Sequence, residues 1–326
     1  MLGVNPLFIV RRNRNDLDFV SKHGFEYKAI PASGFFGKNI FGMFLFFLNM
    51  IFSTILFPSI IFKARPLVVI ASGGFISVVP ILWSIILHKR IFLLEQNRIP
   101  GRFTKYFSRW ADEIYSGFPP IKKISGRLFY TGNPLRSEII SESDYSNRKS
   151  VLVLGGSQGA QFLNLVAVEL AARMPNVQFT IQTGKRDYVL INKKVKSSNV
   201  ELIDFTLSPE NLYKKAKIVI TRAGGMVLSE ILSFGIPSII IPFPFATDNH
   251  QAANAQFLAQ NGAAIILDQC RQQEISETFI HKLKEMVLSI LNDDKKYQVM
   301  SDNAKKIAKS DAAEVIAMKV KKCLEN

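Results

Sequence analysis

Short apolar runs alternate with helical stretches along most of the chain. Leu7–Val10, Tyr27–Ile30, Leu67–Ala71, Ile91–Glu95, Glu113–Tyr115 and Leu128–Thr131 read as strands in the first half. Val151–Leu154, Gln178–Thr183, Val200–Asp204, Ile218–Thr221, Ser238–Ile241 and Ala263–Leu267 read as strands in the second. Helices are expected at Asn15–Lys22, Ile76–Leu87 and Arg102–Ala111, with further helices from Glu274 to a basic end at Lys319–Lys322. Strands that alternate with helices predict a parallel sheet in each half, an α/β fold. The polar stretch Ser137–Ser150 predicts a linker, so the domains are expected at 1–140 and 150–326. Gly235 and Gly262 fall where helices should stop. No repeat of fixed period is present.

One segment breaks this alternation. Asn39–Phe62 runs 24 residues without a charge and is rich in Phe, Ile and Leu. Its length would permit a membrane span. The strands on either side, Leu7–Val10 and Leu67–Ala71, nevertheless belong to one domain, which a single crossing would divide. Asn49 and Pro58 also interrupt the run. Docking on a membrane surface fits best; a buried core element and a true or re-entrant insertion are the alternatives.

Charge supports the docking reading. The chain of 326 residues carries a net +15, and residues through Lys149 hold 20 basic against 9 acidic side chains. A basic surface attracts nucleic acid or anionic lipid. The apolar run favours an anionic membrane surface, and no aromatic–basic RNA motif argues for nucleic acid. Composition, 48% hydrophobic and 21% charged, is that of a folded protein. Cys270 and Cys323 are far apart, which points to a reducing compartment and no zinc site. The first residues place their charges after a short apolar run, unlike a signal peptide.

The candidate chemistry lies at two strand–glycine–helix turns, VLVLGGSQGA (Val151–Ala160) and AKIVITRAGGMVLSE (Ala216–Glu230). Glycine lets a backbone approach a ligand closely, and the first N–H groups of a helix attract phosphate. Neither turn has the GxGxxG or GK[ST] spacing, and as bare patterns they also fit simple packing turns. GGFIS, Gly73–Ser77, forms a third such turn. Ligands of doubly wound sheets bind beyond the strands' carboxyl ends, which predicts a cleft between two such domains.

ASGGFIS, LLEQNRIPGRFTKYFSRWADEIYSGFP, TGNPLR, GGSQGA, TRAGGMVLSE and IPFPFATDNHQAANA occur in this order. The chain thereby resembles the MurG family, UDP-N-acetylglucosamine:undecaprenyl-pyrophosphoryl-muramoyl-pentapeptide N-acetylglucosaminyltransferases of peptidoglycan synthesis. The resemblance implies a GT-B fold of two Rossmann-like domains and a peripheral place on the cytoplasmic face of the inner membrane. The N-terminal domain would take the lipid-linked muramoyl peptide, and the C-terminal domain UDP-GlcNAc. It implies donor contacts from Ser157, with Gly156, to the phosphates and from Glu230 to the ribose hydroxyls. Gly225, Met226 and Ser229 would supply the helix start beneath the nucleotide. Thr206 would lie where backbone groups read uracil, Gln251 would contact the sugar hydroxyls, and Asn97 and Arg136 would bind the donor. The reaction would be an inverting displacement, with helix N-termini and arginine stabilising the leaving UDP, so neither metal nor cofactor is expected.

Each residue also has an ordinary reading. Glu230 could be a surface carboxylate, Arg136 a linker ion pair and Asn97 a turn former. Asp16–Leu17–Asp18 mimics a metal motif of other glycosyltransferases but reads as a solvated face. Family members begin with a strand and a GGTGGH loop whose histidine is a candidate base; this chain begins at what resembles the second strand. Leu94 stands in place of a family histidine, Val78 and Val79 alter the second glycine loop, and Phe245 replaces a common histidine. A late-assigned start is one expectation. A catalytically impaired, membrane-associated nucleotide-sugar-binding homologue is the other. An NAD oxidoreductase is disfavoured because no GxGxxG occurs. Glu95, at a strand's carboxyl end, remains as a group that could assist the acceptor hydroxyl.

Overall fold

Each run of apolar residues that pairs with its neighbours in this chain does so in parallel. The computed structural model describes residues 5–12, 17, 20, 21, 23–32, 40–140, 148–155, 160–269 and 275–325. The helix expected at Asn15–Lys22, and with it Asp16 and Asp18, falls largely outside these residues. Two compact units emerge. One comprises Met1–Gln96, Pro100–Thr131 and Ala313–Asn326, and the other Asn97–Ile99 and Gly132–Ala312.

The first unit contains β1 (Leu7–Arg11), β2 (Glu26–Ile30), α1 (Ile40–Ala64), β3 (Val68–Ala71), α2 (Val78–Ile86), β4 (Arg90–Glu95), α3 (Arg102–Phe107), β5 (Glu113–Ser116) and β6 (Leu128–Tyr130). Among the described residues its strands form two sheets: β1 with β2, and β3-β4-β5-β6. Ile81, Ile91, Leu93 and Ile114, each essentially unexposed, make the core between the four-stranded sheet and its helices. The first turn after β3 uses glycine where the backbone needs it, with φ of 86° at Gly73 and 78° at Gly74.

The second unit contains α4 (Ser137–Ile140), β7 (Ser150–Leu154), α5 (Gln161–Ala172), β8 (Phe179–Gln182), α6 (Tyr188–Asn192), β9 (Val200–Ile203), α7 (Glu210–Lys215), β10 (Ala216–Thr221) and α8 (Gly225–Ser233). It continues through β11 (Ser238–Ile240), α9 (His250–Gln260), β12 (Ala264–Ile266), α10 (Glu277–Leu291) and α11 (Asp294–Ile307). Its sheet has the order β12-β11-β10-β7-β8-β9. Strands of such a sheet are buried on both faces, which explains their continuous Val and Ile runs. Val151, Val153, Ile181, Ile218, Ile220 and Ile239 lie in one core with α5 and α10. Gly235 and Gly262 do end helices, at φ of 59° and 70°. The final helix, α12 (Ala312–Glu325), follows this unit in sequence but packs in the first, where Ile316 joins Phe92 and Tyr115.

The uncharged run is a single helix, α1, and Pro58 lies inside it. Ser53, Phe57 and Ile61, spaced one turn apart, are buried; Phe57 and Ile61 pack with Val79 and Trp83 of α2 and with Ile9 of β1. Trp83 also donates its indole N–H to the carbonyl of Thr54 (3.3 Å). The opposite face presents Phe44, Phe47, Ile51, Phe52 and Ile55 to the outside. A purely buried core element is therefore excluded: among the described residues only one stripe of the helix is covered.

That division is measurable. Ile61, 3% exposed, should cost about 2–5 kcal/mol of unfolding free energy when changed to alanine. Ile55, 68% exposed, should change stability by no more than about 0.5 kcal/mol. Urea unfolding that gave both variants equal losses would overturn the two-faced assignment.

Candidate functional site

The second sheet brings the carboxyl ends of β7 and β10 side by side, because Val151–Leu154 pairs with Ile218–Thr221. Sites in open parallel sheets form beyond such ends. After β7 the chain enters GGSQGA, of which residues 156–159 lie outside the described residues; Gly156 and Ser157 are among them. Gly155 is described, and packing demands glycine there. A Cβ would stand 2.6 Å from Oδ1 of buried Asn164 and 3.2 Å from the carbonyl of Gln182. Asn164 is itself held, donating to the Thr183 carbonyl (2.9 Å) and to Asp187 (3.2 Å).

After β10 the chain turns through Arg222, Ala223 and Gly224 into α8. Gly224 is the N-cap and offers no side-chain acceptor, and the first N–H groups of a helix have no partner within it. Gly225, Met226 and Ser229 occupy this first turn and the one above it. Asn133 of the GNPLR segment donates to Ser229 Oγ (2.9 Å) and to the Gly225 carbonyl (3.3 Å). The helix start is thus fixed from its side by a buried amide.

Ala223 is gripped at both backbone groups. Its N–H donates to Oε1 of Gln251 (3.2 Å), and its carbonyl accepts from Nδ2 of Asn254 (3.1 Å). Both side chains come from α9, three residues apart and hence on one face. Oε1 of Gln251 also accepts from the Phe243 N–H (2.9 Å). With its oxygen engaged by two amides, the remaining polar group of Gln251 is its NH2, a donor. The turn that precedes α9 places two successive non-glycine residues in the left-handed region, Asp248 (φ 53°) and Asn249 (φ 57°). Such a pair is strained and marks a turn whose shape matters.

Asn254 also reaches Asn97. Its Nδ2 donates to Asn97 Oδ1 (2.8 Å), while its Oδ1 accepts the Arg98 N–H (3.0 Å). The Arg98 guanidinium then lies over the Phe257 ring (5.2 Å). The segment Asn97–Ile99 consequently belongs to the second unit.

Glu230, one turn into α8, is half-buried. Its Oε2 accepts from the hydroxyl of Tyr213 (2.7 Å), a residue of α7 with 1% exposure. Burial raises the Glu230 pKa above the ordinary carboxylate value; the Tyr213 hydrogen bond and the Arg136 charge oppose this, and Glu210 adds to it. Burial wins. Burial likewise pulls the Arg222 guanidinium down to about 10. Arg222 donates to the carbonyls of Ile241 and Pro242 and lies between the Phe162 and Phe243 rings. Arg136 donates to the Leu207 carbonyl (2.8 Å). Next to it, Thr206 Oγ1 accepts from the Ser208 N–H (3.0 Å), which closes a local turn after β9.

Gly225, Met226, Ser229, Glu230, Gln251 and Asn97 are thus gathered at α8 and α9, with Arg136 and Thr206 tied to the adjacent loop. Glu95 is a member of the first unit. It is 5% exposed, and its Oε2 accepts from the Gly101 N–H (2.9 Å) and the Thr104 hydroxyl (2.6 Å), holding the start of α3. That contact is a structural use of the carboxylate which competes with a role as base.

Residues 150–316 match the model of the glycosyltransferase family 28 C-terminal domain, and residues 2–116 match that of the N-terminal domain. The chain belongs to glycosyltransferase family 28. Curated relatives agree. A protein of Leptospira interrogans named UDP-N-acetylglucosamine–N-acetylmuramyl-(pentapeptide) pyrophosphoryl-undecaprenol N-acetylglucosamine transferase is 38% identical over 69% of this chain and 67% of its own. One of the same name from Nitrosospira multiformis is 32% identical over 91% of this chain and 84% of its own. Among solved structures, MurG of Acinetobacter baumannii superposes with a TM-score of 0.69 at 20% identity, covering 96% of this chain and 90% of that one. The MnaA–UDP structure of S. aureus gives 0.65 at 15% identity, covering 98% and 96%. The fold is that of the GT-B glycosyltransferases.

Four residues that support this candidate site were not singled out from the sequence: Tyr213, Asn254, Asn133 and Arg222. Asn254 had a usable signal, since it lies on the face of Gln251, and Asn133 and Arg222 stand inside quoted motifs. Tyr213 had none. Replacing Asn254 with alanine should release Ala223, Asn97 and Arg98 together, leaving buried groups unpaired at about 1–3 kcal/mol each. A loss under about 1 kcal/mol in chemical unfolding would show that the grip on Ala223 is dispensable.

Proposed function

We propose that the chain transfers N-acetylglucosamine from UDP-GlcNAc to the 4-hydroxyl of undecaprenyl-pyrophosphoryl-MurNAc-pentapeptide, with inversion. The observation that carries this reading is the agreement of relatives of one named activity across most of the chain. The gathering of the donor candidates around the start of α8 supports it. In the reaction the acceptor oxygen bonds to the anomeric carbon as the bond to the UDP oxygen breaks. The acceptor hydroxyl loses its proton to a base, and the departing pyrophosphate gains negative charge. The uncapped first turn of α8 offers N–H groups and a positive dipole end for that charge. Glu230 would accept the ribose hydroxyls, and Gln251 would donate to the sugar. Arg136 lies in the field of Glu230 and on Leu207, so its charge serves the nucleoside end unless it leaves that carbonyl. The first unit, to which the C-terminal helix α12 returns, would bind the acceptor, and the second unit, from Gly132 to Ala312 with Asn97–Ile99, would bind the donor.

We further propose that the protein docks peripherally on the anionic cytoplasmic face of the inner membrane. The exposed apolar face of α1, with Leu82 and Ile86 of α2, supports this, as do Lys63 and Arg65 at the end of α1. A helix lying in the interface gains affinity from its buried apolar area and from basic residues meeting anionic lipid.

Supplied with UDP-GlcNAc and the lipid-linked acceptor, the protein should release UDP and place GlcNAc in the lipid fraction. Nucleotide-sugar binding without transfer would leave only the impaired reading. Glu230 accepts best when ionised, so donor affinity should fall as pH drops through its raised pKa. The fall should begin at a higher pH than an ordinary glutamate would give. Glu230→Gln should bind the donor more weakly and without that pH limb; an unchanged profile would remove Glu230 from the site.

Changing Phe47, Ile51 and Ile55 together to glutamate should abolish flotation with phosphatidylglycerol vesicles. Transfer to a water-soluble acceptor analogue should continue. Undiminished flotation would rule out this face as the docking surface.

A further inference from the structure

Tyr213 is a large side chain with a polar tip, and its surroundings leave that tip one evident task. It lies on α7, 1% exposed, with its ring tilted against fully buried Phe234 at 5.2 Å between centroids. Its hydroxyl donates to Glu230 Oε2 at 2.7 Å, short enough for a charge-assisted bond. We propose that Tyr213 is a positioning residue that orients the Glu230 carboxylate for the ribose hydroxyls of the donor. The inference rests on Glu230 being the ribose ligand.

Three features of Tyr213 favour this role. A glutamate side chain near a helix surface has several rotamers, and ordering it on ligand binding costs free energy. A rigid buried phenol removes that cost beforehand, because its own ring cannot move out of the packing against Phe234. Second, the hydrogen bond uses one lone pair of Oε2, so both carboxylate oxygens keep capacity for a hydroxyl each. A vicinal diol needs that pair. Third, burial and the adjacent carboxylate hold the phenol far above its ordinary titration range, so it remains a donor throughout the working pH. The groups facing Glu230 are Tyr213, Arg136 and Glu210; Tyr213 and Arg136 favour the ionised form.

Tyr213 also links two parts of the site along the chain. It follows the 204–208 loop that Arg136 holds through Leu207, and it bonds to the helix that begins at the Gly224–Gly225 turn. The hydrogen bond therefore ties the loop expected near the base to the carboxylate expected at the sugar ring.

The test compares binding of UDP and of 2′-deoxy-UDP by calorimetry to the full chain and to Tyr213→Phe, Glu230→Gln, the double variant and Phe234→Leu. The native protein should prefer UDP. Tyr213→Phe should shrink that preference about five- to tenfold and raise the donor KM, with kcat at saturating donor within about twofold. The double variant should discriminate no worse than Glu230→Gln alone, since Tyr213 acts through that carboxylate. Phe234→Leu loosens the packing behind the ring but spares the hydroxyl, so it should lose less of the preference than Tyr213→Phe. A Tyr213→Phe protein that still discriminates as the native one does would overturn the proposal. If Glu230→Gln also retained full discrimination, the ribose assignment itself would fall.

Discussion

The site depends on how the backbone of Ala223 is satisfied. This residue, fully buried, stands where β10 ends and α8 has not begun, so neither sheet nor helix pairs its polar groups. Left alone, each would cost about 1–3 kcal/mol. Gln251 and Asn254 supply the missing partners from one face of α9. The same contacts place the glycine turn, the start of α8 and the NH2 group of Gln251 in fixed relation. A ligand that meets this turn meets a prepared surface, which lowers the cost of ordering it.

A second layer of organisation is electrostatic. Glu230 and Arg222 both lie in partly buried places: burial raises the acid against the Tyr213 hydrogen bond and the Arg136 charge, and burial lowers the base. A carboxylate serving only stability would gain more from full pairing or from water. Keeping it desolvated and merely oriented by Tyr213 and Arg136 leaves capacity for further hydrogen bonds, a feature associated with functional sites. Arg222 differs: its guanidinium is spent on the carbonyls of Ile241 and Pro242 and fixes the loop that leads to Gln251.

Period and punctuation made the strands legible, since parallel strands buried on both faces read as short apolar runs between glycine stops. What sequence order concealed are the contacts made across it. Asn97 sits in a run of first-unit residues yet is held by Asn254, and α12 follows the second unit yet packs with Phe92 and Tyr115 of the first. Tyr213 lies 17 residues from Glu230, a separation with no periodic meaning. Glu95 looked available at a strand end because nothing local predicts that Gly101 and Thr104 fold back onto it. Motif residues were readable; their supports were not.

The apolar run of α1 was ambiguous for a reason the fold makes plain. Among the described residues β1 pairs only with β2, and a two-stranded ribbon is marginal without further packing. The helix supplies that packing: Ile9 of β1 lies with Phe57 and Ile61, and Ser53 donates to the carbonyl of Pro31 just after β2. One stripe must therefore be apolar for the first unit to cohere. The opposite stripe is apolar as well, although nothing among the described residues of the unit covers it. Stability alone would place polar residues there, as on most half-buried helices. Under the docking proposed above, one side of the helix serves the core and the other a lipid surface, which leaves no polar face. With both stripes apolar, its sequence carries no helical periodicity and reads like a span.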